Sequence, residues 1–112
     1  VRKNNLTVIP EGIKRMTNLQ IAHFSQNEIV DISDELYELK QLGYLNLRDN
    51  KLKTLSEKIG NLKKLNKLFL SGNNLQSIPA SISQLSNLDL LEIDKACKTA
   101  LPQEKIDIIQ YT

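Results

Sequence analysis

The stretch LFLSGNNLQSIP, Leu68 to Pro79, decides the fold. Leu68 and Leu70 alternate around Phe69, which reads as a short strand with one buried face. The pattern breaks at Ser71-Gly72-Asn73-Asn74, resumes at Leu75 and ends at Ile78-Pro79. A strand this short has no stability of its own. It belongs either to a large sheet or to a unit that is stacked again and again.

The second alternative is written along the chain. LQIAHFSQNEIVDI (Leu19 to Ile32), LGYLNLRDNKLKTL (Leu42 to Leu55) and LNKLFLSGNNLQSI (Leu65 to Ile78) are copies of one pattern. Their first leucines, Leu19, Leu42 and Leu65, recur every 23 residues, and Leu88 continues the series. A fixed period of this length is the mark of a solenoid. The apolar columns hold across copies: Ala22, Leu45, Leu68, Leu91; Phe24, Leu47, Leu70, Ile93; Ile29, Leu52, Leu75; Ile32, Leu55, Ile78, Leu101. Leu36, Ile59, Ile82 and Leu39, Leu62, Leu85 complete them. Asn4, Leu6, Ile9, Pro10, Ile13 and Met16 fit a copy whose start lies before Val1.

The pattern L-x-x-L-x-L-x-x-N-x-L-x-x-(L/I)-P, kept over three full copies from Val1 to about Pro102, resembles the leucine-rich repeat family in its 23-residue class. The resemblance implies an α/β solenoid: a short horseshoe arc with a parallel concave sheet and short helical or 3₁₀ turns on the convex side. The solenoid is expected over residues 1–102. It divides into a partial repeat at 1–18, repeats at 19–41, 42–64 and 65–87, and a degenerate repeat at 88–102. The family also implies a role for the column Asn4, Asn27, Asn50, Asn73: side chains that point inward and pair with backbone groups of the turn and the adjacent copy. The chemistry suits it. A carboxamide donates and accepts, so it serves two copies at once, and buried turn amides need partners.

DELYELKQ, EKIGNLKK and ASISQLSN place apolar residues three apart, one buried stripe on a helical turn. Pro10 and Pro79 suit the start of such turns, as do the equivalent Ser33 and Ser56. The fourth copy departs from the pattern, with Ala96 in the Asn column and Lys98 in an apolar one. QEKIDIIQYT, residues 103–112, reads as a C-terminal helix capping the last core through Ile106 and Ile109. The opposite end reads as a bare sheet edge. It belongs to a longer solenoid of which this chain is a piece, or joins two copies.

Composition excludes several classes. Hydrophobic residues make up 40% of the 112 and charged residues 25%, with only 4% aromatic, so the core is built from Leu and Ile. A formal charge of +2 is too mild for a nucleic-acid protein. No apolar run approaches the roughly 20 residues of a membrane helix. Cys97 is the single cysteine and His23 the single histidine. Three strand steps place them about 15 Å apart, too far for a nucleophile and its base. Gly12, Gly43, Gly60 and Gly72 are scattered singly, not gathered in a phosphate loop. No Cys or His spacing suits a metal. The chain therefore reads as a non-enzyme without cofactors, and Cys97 as a small apolar core residue.

What remains is the concave face. Its outward positions form three columns: Ile21, Tyr44, Lys67, Leu90; His23, Asn46, Phe69, Glu92; and Ser25, Arg48, Ser71, Asp94. Apolar and aromatic residues beside Arg are the composition of a protein-binding hot spot. On the flanks, Glu28 with Lys51 and Glu35 with Lys58 share columns and are expected to pair between copies, while Lys58, Lys63 and Lys64 read as a wet basic face. The expected function is a protein-interaction module of the bacterial or intracellular type, with host contact as one role by analogy. The alternative is an assembly unit that self-associates through its N-terminal edge. The sequence leaves the partner and the compartment, surface or cytoplasmic, open.

Overall fold

Apolar residues spaced three apart, rather than at the 3.6 of an α-helix, dictate the convex side. Leu36, Leu39 and Leu42 eclipse one another only if the chain winds at three residues per turn. The computed structural model describes Thr7, residues 11–97 and residues 108–111, and there the convex turns are 3₁₀ helices: Glu11–Arg15, Asp34–Glu38, Glu57–Asn61 and Ala80–Gln84. Their bonds run i to i+3, from Leu36 N to Ser33 O (3.1 Å), Leu39 N to Leu36 O (3.2 Å) and Leu42 N to Leu39 O (3.1 Å). Each third residue is thereby set on one line facing inward. Ser33 and Ser56 cap their helices by accepting from Glu35 N and Lys58 N. Pro79 holds the same place for the fourth helix without a side-chain bond.

On the other side, among the described residues, stand five short strands: β1 (Ile21–His23), β2 (Tyr44–Asn46), β3 (Lys67–Phe69), β4 (Leu90–Ile93) and β5 (Ile109–Tyr111). They pair in sequence order, all parallel. The register joins Ile21, Tyr44, Lys67 and Leu90, so one turn of the coil is one period of the sequence. Between sheet and helices lies a continuous interior in which Leu36, Leu39, Leu42, Leu45, Leu62, Leu65, Leu68 and Leu91 are wholly buried. At about 1.5–3 kcal/mol for each buried Leu, this shared core is what a lone three-residue strand lacks.

The turns leaving the strands depend on two devices. Gln26, Asp49 and Gly72 take positive φ of 58°, 58° and 77°, which reverses the chain and drives the next residue, an asparagine, inward. Asn50 Nδ2 then donates to Phe24 O of the previous copy (2.9 Å) and to Leu47 O of its own (3.1 Å), while Oδ1 accepts from Ile29 N (3.1 Å). Asn73 repeats this one copy later with Leu47 O (2.8 Å), Leu70 O (2.9 Å) and Leu52 N (3.0 Å). Asn27 is also turned inward, 6% exposed and bonded to Phe24 O.

Several expectations are corrected. A helix was expected through residue 112, but Ile109–Tyr111 is a strand, with Ile109 opposite Leu91 and Tyr111 opposite Ile93. The physical reason is the open edge of β4, whose N–H and C=O groups find ladder partners in another strand and would find none on a helix flank. Asp34, not Glu35, pairs with Lys58 (2.7 Å). Glu28 and Lys51 do meet, at 3.9 Å. Asn4, Pro10, Leu101, Pro102, the N-terminal sheet edge before Thr7 and the expected helix over residues 103–107 lie outside the described residues.

Candidate functional site

The concave sheet gathers its outward side chains because alternate residues of each strand point away from the core. Ile21, Tyr44, Lys67 and Leu90 lie side by side in register, as do His23, Asn46, Phe69 and Glu92. The structure adds a diagonal that crosses these rows. The His23 and Tyr44 rings lie 5.0 Å apart and tilted by 50°, and Tyr44 and Phe69 lie 5.1 Å apart at 44°. Three rings from three neighbouring strands thus make one ladder, at the centroid separation of interacting ring pairs. All three are half-buried. Ile21 stands beside them, 57% exposed.

The third column behaves differently. Ser25 (7%), Ser71 (4%) and Glu92 of the second column (5%) are buried, so they offer a partner little surface. Glu92 is buried because it is neutralised in place. Arg48 Nε reaches its Oε1 at 2.9 Å, and Ser71 Oγ donates to the same oxygen at 2.7 Å while accepting from Arg48 Nε at 3.3 Å. This network spans β3, from the second full copy to the fourth. It fixes Arg48, whose side chain stays 44% exposed, at the border of the ring ladder. Arg48 N is held by Asn46 Oδ1 (3.0 Å). Asp94 is turned aside, its carboxylate accepting from Gly72 N at 3.1 Å through both oxygens. On the opposite flank Lys67 Nζ binds Asp89 Oδ1 at 3.1 Å.

The structure therefore brings Ile21, His23, Tyr44, Phe69, Lys67 and Arg48 to one accessible face, with Asn46 and Leu90 half-buried among them. The diagonal contacts were not read from the sequence. The available signal was an aromatic or imidazole residue shifted by two between adjacent copies.

The chemistry of the titrating groups is structural. Burial, with Asp94 nearby, pushes the Cys97 thiol up, which disfavours the thiolate. Burial, with Asp34 and Asp31 adding to it against a hydrogen bond to the Ser56 backbone, pushes Tyr37 up to about 12. Among the described residues no three His, Cys, Asp or Glu side chains converge as a metal set. Among them, too, no helix is long and apolar enough to cross a membrane.

A family profile described as a leucine-rich repeat region matches residues 19–110. The chain belongs to the leucine-rich repeat family. Its horseshoe fold is shared by solved leucine-rich repeat structures. One, a Leptospira interrogans protein, is 34% identical with a TM-score of 0.83, over 97% of this chain and 29% of that one. An internalin from Listeria monocytogenes is 22% identical with a TM-score of 0.76, over 94% of this chain and 47% of the internalin. The ectodomain of an Arabidopsis thaliana receptor kinase is 21% identical with a TM-score of 0.78, over 99% and 66%. This chain thus spans less than a third of the Leptospira leucine-rich repeat protein. No curated protein sequence matches. Leucine-rich repeat solenoids are, in general terms, non-enzymatic binding scaffolds for other proteins.

Proposed function

We propose that this chain grips a partner protein on its concave sheet, with the ladder His23, Tyr44, Phe69 as the central contact and Ile21, Asn46, Lys67, Leu90 and Arg48 around it. The supporting observation is the ladder itself: three mutually braced rings, half-exposed where solvent-facing sheet normally carries polar side chains. Braced aromatic groups lose little freedom on binding and bury large apolar area, the two properties of a hot spot. Ser71 and Glu92 serve this site by holding Arg48 at its border, Asp94 by holding the turn at Gly72, and Ser25 is buried beneath it.

Size limits the strength. Three-residue strands span about 10 Å and five of them about 19 Å, so the sheet offers roughly 200 Å² in projection, against about 800 Å² per partner for a standard interface. Binding by this segment alone is expected to be weak, and strengthened by avidity or neighbouring repeats. The double variant Tyr44→Ala/Phe69→Ala is expected to lose partner capture while keeping its circular dichroism spectrum. Undiminished capture would discard the concave site.

A second reading, assembly through the edge beside β1, draws support from an apolar cavity of about 430 Å³ lined by Ile13, Met16, Leu19, Ile21 and Phe24 among others. Light scattering over a concentration series separates the two. Mass that grows with concentration, and returns to the monomer value in Met16→Glu, supports assembly. A constant monomer mass removes it.

A further inference from the structure

The concave ladder is bordered on one side by positive charge that the fold leaves uncompensated. Arg48, Lys51, Lys58 and Lys67 each reach a carboxylate. Lys40, Lys63 and Lys64 do not. Their ammonium groups rest on neutral acceptors: Lys40 Nζ on Asn61 O (3.4 Å), Lys63 Nζ on Gln84 Oε1 (3.3 Å) and Lys64 Nζ on Gln41 Oε1 (2.8 Å). All three side chains are exposed, and among the described residues none lies within ion-pair distance of a carboxylate.

Their placement is not scattered. Each sits in the segment that leads from a 3₁₀ helix into the next strand, so the repeat stacks them along one rim, the strand-entry edge of the sheet. Lys64 and Lys67 line a cavity of about 410 Å³ together with Ile21, Gln41 and Tyr44. Through Lys64 the charged rim meets the ring ladder in this cavity. The acidic residue of those helix-to-strand segments is Asp89, and it is already engaged by Lys67 and Asn66. The strand-exit side instead presents the carboxylates of Asp49 and Asp94 around Gly72. A ligand lying across the ladder meets uncompensated positive charge at its strand-entry end.

Resting on the concave-face reading above, we infer that the partner presents an acidic segment: carboxylates flanking an apolar or aromatic side chain, the apolar group on Tyr44 and Phe69 and the carboxylates toward Lys40, Lys63 and Lys64. Amide acceptors hold these ammonium groups without cancelling their charge. A partner carboxylate replaces a neutral hydrogen bond by a charge-assisted one, the stronger kind. It also gains from steering by the rim during encounter.

Selection from a displayed library of random linear peptides against the whole chain tests this, with the binders measured on wild type, on Lys40→Gln/Lys63→Gln/Lys64→Gln and on Tyr44→Ala/Phe69→Ala. The expected binders are rich in Asp and Glu beside an aromatic or aliphatic residue. They lose about tenfold in affinity on the lysine variant at low salt, and less as salt screens the rim. Binders of neutral or basic composition that still require Tyr44 and Phe69 overturn the acidic partner and leave the concave site standing. Binders that hold equally well to Tyr44→Ala/Phe69→Ala overturn both, as does a selection that yields none.

Discussion

The asparagine column shows how a single side chain type holds a stack together. Asn50 closes bonds to two copies at once, through Phe24 O, Leu47 O and Ile29 N. Asn50→Ala is expected to cost about 1–3 kcal/mol, because buried backbone groups lose their partners; urea unfolding measures it. Gly72 is the second residue with a defined task. Its φ of +77° strains any side chain, and a Cβ there would run into the Asp49 carboxylate. Gly72→Ala should therefore destabilise by about 2–4 kcal/mol, and less in an Asp49→Gly background, as a double-mutant cycle would show. Tyr37 gives a pH signature. Its folded-state pKa, about 12, lies above the ordinary 10.0, so the neutral phenol is favoured in the fold. The contribution is complete below pH 10 and is lost as pH rises toward 12, at about 1.4 kcal/mol per unit. The gap in stability between wild type and Tyr37→Phe should narrow over that interval in alkaline unfolding curves.

At the scale of elements, each three-residue strand is too short to hold a site, and the site exists only across strands. His23, Tyr44 and Phe69 come from β1, β2 and β3. The Arg48, Ser71, Glu92 network does the same for polarity, tying the exit of β2 to β4 over β3. Glu92 is buried, so removing its cation leaves an unpaired charge inside the sheet. With Arg48 half-exposed and Ser71 still donating to Glu92, Arg48→Ala alone should destabilise by about 1–2 kcal/mol, and Arg48→Ala/Glu92→Leu by less. Additive losses in thermal or chemical unfolding would show that the two act independently. The same elements account for the 3₁₀ turns. Five residues bridge successive copies, and apolar residues at a spacing of three keep the core leucines and isoleucines of each turn on one line.

At the scale of the molecule, the body measures 37 × 26 × 18 Å, and each copy touches chiefly its neighbours. Stability in such a stack is a sum of copy and interface terms. Copies with two neighbours are the most protected. Hydrogen exchange is expected to be slowest at Leu45, Leu47 and Leu68 and fastest at Ile109–Tyr111, where β5 has one partner strand. Uniform protection would show a single cooperative unit. The charge layout is also a property of the whole: lysines unremarkable in one copy become a rim only when stacked.

The sequence by itself determined the period, the inward apolar columns and the asparagine column, because core positions repeat the same chemistry at a fixed step and every copy reports on the others. Ala22, Leu45, Leu68 and Leu91 could be placed without coordinates for that reason. Only the tertiary structure decided what happens where the repeat carries no instruction. Packing across neighbouring strands brought Tyr44 against both His23 and Phe69. An ion pair with half-exposed Arg48 turned Glu92 from a contact residue into a support. The open edge of β4 drew Ile109–Tyr111 into a strand, since unpaired backbone groups are satisfied by whatever strand is within reach and not by local helix preference.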